Sequence, residues 1–358
     1  MINQGVINRL IEVVGERYVL YLPEDLLVYE FDGSQAMGYP EVVVVPSSAE
    51  EISQVVKIAR RENIPIVPRG AGTSISGGAI AASGGILLAM TRLKRVLEVD
   101  PDNMIAVVEP GLVNIDLTNA VSKYGLFYAP DPSSQKACTI GGNVAENAGG
   151  PHCLSYGVTT NHVLGLEVVL SDGERIWVGG KVRDVPGYDL TGVIVGSEGT
   201  FAIVTKVIVR LMRQPRAVKT FVAIYDDIVD ASDTVSAIIG QGIVPAALEM
   251  MDNIVIRAVE PVIHAGYPLD ADAVLLVEVE GMAESVEEEA RAIEAICKEN
   301  KATEVRVATD PLAREKLWAG RKNAFGALGS IAPNYYIVDG VVPRTKLPEV
   351  MKKVGEIC

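Results

Sequence analysis

The sequence predicts an α+β protein of two domains, and three observations carry that prediction. Its 358 residues exceed what one hydrophobic core usually organises. The first part reads strand, helix, strand and glycine-rich loop, and then becomes a series of β-rich runs. After about residue 212 a β-α-β pattern occurs twice, as in an antiparallel sheet backed by helices.

Val6, Leu10, Ile11 and Val14 recur at helical spacing, so a packing helix lies within an N-terminal helical region of about residues 1–20. The run EVVVVP (41–46) is short and continuously apolar, as a buried strand is. In the following SSAEEISQVVKIARREN, Ser48 is an N-cap and Glu51 falls in the first helical turn. IPIVP (64–68) is the next strand, and the loop PRGAGTSISGG overlaps its end. GILLAM, MIAVVEPG, VLGLEVVL, ERIWVG and FAIVTKVIVRL read as further strands, with Ser171, Asp172 and Gly173 as a tight hairpin turn. The polar stretch Arg213–Lys219 separates domains of residues 1–212 and 213–358. Beyond it, strand-like KTFVAIY precedes helical DIVDASDTVSAIIGQG and then PAALEMMD. AVLLVEVEG likewise precedes a long helix ending near Asn300, followed by TEVRVA.

Composition excludes several classes. A formal net charge of -14 repels a nucleic-acid backbone, and the densest basic residues, Arg92, Lys94 and Arg95, read as a solvated edge, so no nucleic-acid partner is expected. Charges interrupt the apolar N-terminal stretch, which is not a signal peptide, and cytoplasm is the default location. No apolar run of about 18 residues occurs. Cys138, Cys153, Cys297 and Cys358 have no CxxC spacing and read as reduced thiols, not cluster ligands. His152, His162 and His264 are too scattered to suggest a metal site.

The loop is not a dinucleotide fingerprint, because counting from Gly70 and Gly72 puts Ile75 where the third glycine belongs. Nor is it a P-loop, for it contains no lysine. Pro68, Arg69, Gly70, Ala71, Gly72, Thr73, Ser74 and Gly77 remain as a run whose backbone N–H groups can curl around an anion and admit a pyrophosphate, with the Thr73 and Ser74 hydroxyls as further donors. A flexible solvent loop fits the same composition. A second segment, PDPSSQKACTIGGNVAENAGG (130–150), lacks hydrophobic periodicity and is rich in small residues, as suits close backbone approach to an extended ligand. A third, GSEGTFAIVT (196–205), sets a glycine turn before a buried strand.

Together these three motifs, in this order, resemble the FAD-binding domain of the flavin-linked oxidases that include vanillyl-alcohol oxidase, and most closely the glycolate oxidase and D-lactate dehydrogenase branch. The resemblance covers roughly residues 20–358. It implies a PCMH-type FAD-binding core of two α/β subdomains at about 36–212, followed by a ferredoxin-like α+β cap domain that is incomplete at its C-terminal end. It implies that the loop matching PRGAGTS holds the FAD pyrophosphate. It implies that Pro130, Asp131, Ser134, Thr139, Gly141, Gly142, Asn147, Ala148 and Gly149 line the cofactor path, with Tyr156 and Gly157 beyond them. Glu198, Gly199, Ile203 and Val204 are implied near the adenine and pyrophosphate. His152 lies close to where some wider relatives attach flavin covalently, but this branch usually binds it without that bond, so non-covalent FAD is expected.

The chemistry follows from the same resemblance. Oxidising a small D-2-hydroxy acid of the glycolate or D-lactate type needs a cation for its carboxylate, a base for its hydroxyl and a flavin N5 for the hydride. In KLWAGRKNAFGALG, Trp318 and Arg321 match the family's tryptophan and the carboxylate-binding arginine three residues later; a guanidinium offers a planar fork to a carboxylate. Relatives also carry a His-rich segment resembling HxGDGN that binds a divalent metal and supplies the base. No histidine follows His264, so metal ligands are not expected here. The expectation is FAD-dependent oxidation of such an acid, with the hydride passing to flavin N5 and the electrons to a partner such as an iron-sulfur subunit, an electron-transfer flavoprotein or a quinone-linked carrier, and with little or no turnover by the chain alone. An FAD-binding subunit without independent catalysis is the alternative. Membrane association is expected only through such partners, and self-association into a homo-oligomer stays open.

Overall fold

The computed structural model describes every residue except 1, 184, 185, 333, 335 and 358. The chain divides into two compact units, one of residues 1–150 and 157–214, the other of residues 151–156 and 215–358.

The first unit holds two principal sheets. Val19–Leu20 (β1), Val42–Val44 (β2), Ile66–Arg69 (β3) and Ile86–Ala89 (β4) form a four-stranded sheet in the order β1-β2-β4-β3, in which β2 and β3 run parallel to β4. The Ala49–Glu62 helix crosses from β2 to β3, and Ser48 accepts the Glu51 N–H at its start. GILLAM thus belongs to the parallel sheet rather than to the later strand series, because its alternate residues Ile86 and Leu88 bury against the helices beside Val42 and Val44.

Val96–Asp100 (β5), Ile105–Val108 (β6), Val163–Val169 (β8), Arg175–Gly179 (β9) and Ile203–Arg210 (β10) form an antiparallel sheet in the order β5-β6-β10-β8-β9. Leu126–Phe127 (β7) pairs separately with Met212–Arg213 (β11). At the β8–β9 hairpin, Gly173 takes φ 83, a conformation glycine adopts without a Cβ penalty. One face of the sheet buries Ala106, Val108, Leu166, Val168, Val207 and Val209. β5 is absent from the sequence-based strand assignment: none of its residues is buried, and VLEVD shows no clean alternation of apolar and polar positions.

The second unit is a ferredoxin-like sandwich. Ala217–Tyr225 (β12), Ala247–Asp252 (β13), Ala273–Gly281 (β14) and Glu304–Val307 (β15) lie in the order β13-β14-β12-β15, all antiparallel. Phe221, Ala223 and Tyr225 face the Ile228–Gly240 and Ala283–Glu299 helices with Leu275 and Val277. On the other face Val222, Ile224, Val274 and Leu276 meet the Asn253–Ile263 and Pro311–Lys322 helices through Ile256, Val259 and Trp318. Both faces of β12 and β14 are therefore covered, which is why their sequences are nearly continuous apolar runs. Among the described residues no helix is long and apolar enough to cross a membrane.

Candidate functional site

The three glycine-rich segments, far apart in sequence, converge within the first unit. A Cβ on Gly70 would overlap the Thr139 hydroxyl, and one on Gly199, at φ 73, would come within 2.8 Å of Pro68 Cγ. Gly78 faces the Glu198 and Glu146 carboxylates at 3.0 and 3.4 Å measured from an added Cβ. Ser74 Oγ donates to Glu146 Oε1 at 2.8 Å, and Ser76 Oγ to Glu146 Oε2 at 3.1 Å. Gly196 N–H and Glu198 N–H donate to the Val144 and Ala145 carbonyls at 2.8 and 2.9 Å, tying the third segment to the second.

Local sequence explains how each segment holds its shape. The apolar-poor stretch 130–150 contains a helix, Ile140–Glu146, that its glycines conceal from a periodicity reading. Thr139 caps it by accepting the Gly142 N–H at 3.2 Å, Ile140 and Val144 bury one turn apart, and Asn147 ends it in the left-handed conformation at φ 48. Asn147 Oδ1 then accepts the Thr160 N–H at 2.9 Å, and the Ala148 carbonyl accepts from both the Thr159 N–H and hydroxyl at 3.1 and 2.7 Å. Pro130 presents its carbonyl to Asn114 Nδ2 at 3.0 Å. The Ser134 carbonyl accepts from Ala137 and Cys138, both at 2.8 Å. Gly141 packs so closely on Pro110 that a Cβ would sit 2.5 Å from its Cβ, and one on Gly157 would overlap Asn161 Oδ1.

At the loop itself, Arg69 ends β3 nearly buried and donates from Nη1 to the Ala79 carbonyl at 3.1 Å, with its guanidinium 5.9 Å from the Tyr29 ring centre. Burial pulls its pKa below the usual arginine value, against the opposing pull of Asp32 and Tyr29. Gly72, at φ 70, has no room for a Cβ because Arg69's guanidinium lies there. The glycine is thus required by the loop's own fold as well as by any approaching ligand. Among the described residues, none accepts from the backbone N–H groups of Ala71, Gly72, Thr73, Ser74 or Ile75. This run of donors, with an added Cβ on Gly77 meeting only Ile80 Cδ1 at 3.9 Å, fits a pyrophosphate cradle. The Ser74 hydroxyl, expected to point its proton at the ligand, donates to Glu146 instead.

The second unit contains a polar cluster that sequence reasoning missed. Glu278, fully buried on β14, accepts from Trp318 Nε1 at 2.6 Å, from Arg314 Nε and Nη2 at 2.9 and 2.7 Å, from Thr220 Oγ1 at 2.5 Å, and is bonded to His152 Nε2 at 3.1 Å. Burial alone would raise its pKa, but the bonds from His152, Arg314 and Thr220 outweigh it and hold the carboxyl down at about 2. His152 also stacks on Tyr156 at 6.3 Å and lies 5.3 Å from the Trp318 ring. Arg321 Nε donates to Glu249 Oε2 on β13 at 2.5 Å. Two sequence signals pointed here: a glutamate inside the apolar run AVLLVEVEG, and Arg314, Trp318 and Arg321 at spacings of four and three, hence on one helix face.

Of the other expected groups, His162 is buried beside Tyr128 in the first unit, its pKa lowered to about 4 by burial and by Arg210 and Arg183. Cys138 and Cys297 are buried thiols with pKa values pushed up by that burial, Cys153 is half-buried and in no disulfide, and Cys358 lies outside the described residues. Among the described residues no group of three or more His, Cys, Asp or Glu side chains is arranged to hold a metal ion.

Residues 40–179 match the family described as FAD binding domain, and residues 214–358 the family described as FAD linked oxidases, C-terminal domain. The chain is 44% identical over 354 residues to the glycolate oxidase subunit GlcD of Escherichia coli (strain K12), covering 99% of this chain and 71% of that protein. It is 42% identical over 360 residues to the same subunit of Bacillus subtilis (strain 168), covering 100% and 77%, and 32% identical over 320 residues to the D-lactate dehydrogenase of Anaerostipes hadrus, covering 87% and 67%. Among solved structures, an alkyldihydroxyacetonephosphate synthase superposes with a TM-score of 0.83 at 19% identity, over 100% of this chain and 75% of that one. A p-cresol methylhydroxylase with substrate bound gives 0.75 at 19% identity, over 91% and 72%; both likenesses concern the fold. With its converging glycine segments and ferredoxin-like second unit, the chain belongs to the FAD-linked oxidases, in the branch of glycolate oxidase subunits and D-lactate dehydrogenases.

Proposed function

We propose that the chain binds FAD without a covalent bond and serves in the oxidation of a small D-2-hydroxy acid of the glycolate or D-lactate type. The observation that carries this reading is Arg321, on a helix pinned to a buried carboxylate, in a chain 44% identical to a glycolate oxidase subunit. FAD, when bound, supplies N5 as the acceptor of the hydride from the carbon bearing the hydroxyl.

The chain's own residues have separable tasks. The backbone N–H groups of Ala71 to Ile75 hold the pyrophosphate, and the segments around Thr139, Asn147 and Glu198 fix the loop that presents them. Arg321 offers its terminal nitrogens to the acid's carboxylate. His152, engaged through Nε2 with Glu278, is committed to the protein and not to a flavin methyl group, which supports non-covalent binding. Buried Cys138 and Cys297, with raised pKa values, are poor thiolate ligands, which supports electron transfer to a carrier outside this chain, such as an iron-sulfur or flavin partner.

A second reading is FAD and acid binding without turnover by this chain alone. It is favoured by the histidines: His152 is held by Glu278, and buried His162 sits beside two guanidiniums. Anaerobic addition of D-lactate or glycolate to the FAD-loaded chain separates the two. Bleaching of the flavin band supports oxidation, a band shift without bleaching supports the second reading, and an unchanged spectrum contradicts both.

A further inference from the structure

We infer that Glu249 is a positioning residue for the substrate carboxylate, holding Arg321 by its Nε–H so that the two terminal nitrogens stay free to receive the acid. The inference rests on the reading of Arg321 as the carboxylate grip.

The arrangement follows from strand and helix geometry. β13 and β14 are antiparallel, with Ala247 opposite Glu278 and Glu249 opposite Leu276, so the two glutamates are diagonal neighbours on one face of the sheet. The Pro311–Lys322 helix packs on this face, and Arg314, Trp318 and Arg321 line the side that meets it. Glu278 takes the first two, and Glu249 takes the third at 2.5 Å. Among the described residues, the bond from Nε to Glu249 is the one hydrogen bond the Arg321 side chain makes. A guanidinium held by Nε has lost a rotational freedom that its long side chain would otherwise have to surrender on binding, and it keeps a pair of parallel donors matched to a carboxylate. Both side chains are mostly shielded, at 31% and 19% exposure, so the orientation is not left to a solvated ion pair.

A rival role is a competitor: Glu249 could occupy the place of the substrate carboxylate and have to be displaced. The two roles differ in sign. Oxalate binding to the FAD-loaded chain, measured by calorimetry and by the shift of the flavin band, distinguishes them in the native protein and in Glu249→Ala, Glu249→Gln and Arg321→Gln, with flavin content and melting temperature recorded for each. Positioning predicts that Glu249→Ala weakens oxalate binding by about tenfold or more, while Glu249→Gln, whose amide oxygen still accepts the Nε–H, stays within about threefold of native. Native affinity in both Glu249 variants, or tighter binding in either, overturns the inference while loss of binding in Arg321→Gln leaves the grip intact. Oxalate binding in Arg321→Gln equal to native, or none in the native chain, overturns the grip itself and the inference with it.

Discussion

Trp318 Nε1 donates to Glu278 Oε2 at 2.6 Å within the second unit, with the carboxylate fully buried. The bond joins a helix to the middle of a sheet, and Arg314, Thr220 and His152 complete the same centre. Removing the acceptor strands several buried donors, one of them charged. Glu278→Ala is therefore expected to cost about 3–5 kcal/mol of second-unit stability, read from urea unfolding followed by tryptophan fluorescence. A loss below about 1 kcal/mol would mean that the cluster is incidental to the fold.

The same group sets a pH dependence. Its folded pKa of about 2 lies below the ordinary glutamate value near 4.3, so the unfolded chain takes up the proton first as pH falls. The stabilisation, about 3 kcal/mol, is complete above about pH 4.3 and is lost towards pH 2. His162 acts in an earlier window of the first unit. Held to a pKa of about 4, it stays neutral when the unfolded histidine protonates, so stability is complete above about pH 6.5 and declines towards pH 4. Urea melts across pH are expected to show two declines, and His162→Asn should abolish the first alone.

Glycine substitutions test the convergence of the loops. Gly70→Ala drives a methyl into Thr139, and Gly199→Ala adds one at φ 73 against Pro68. Both are expected to lower the bound flavin per chain severalfold. Gly240→Ala, at a helix end with nothing within 4 Å of the added carbon, should leave flavin content unchanged and raise stability by up to about 1 kcal/mol. Equal flavin in all three proteins would break the link between loop packing and cofactor binding.

Much of the fold was legible because its signals are local. Ser48 capping, the Gly173 hairpin and the apolar strands each depend on a few adjacent residues. The Ile140–Glu146 helix was not, since Gly141 and Gly142 erase its periodicity and its N-cap, Thr139, lies in a stretch that reads as coil. At the candidate site, the spacing within the glycine loop excluded two other nucleotide loops and left an anion cradle open, and Arg321 was singled out only through the family resemblance of KLWAGRKNAFGALG. Glu146, Glu249 and Glu278 were not, because a carboxylate's partner is chosen by strand register and helix crossing, which a single sequence does not display. The reason for Gly72 also changed, from ligand clearance alone to the space taken by Arg69.

If the three glycine segments of the first unit hold FAD, the purified chain carries the cofactor through gel filtration after incubation with FAD, and its visible absorption spectrum reports the flavin retained. Flavin bands corresponding to about one FAD per chain are expected, released by denaturation without a covalent remnant, and lost in Gly72→Leu, where the side chain would invade the Arg69 guanidinium. A native chain that emerges colourless, or a Gly72→Leu chain that keeps the full flavin content, would contradict FAD binding by these segments.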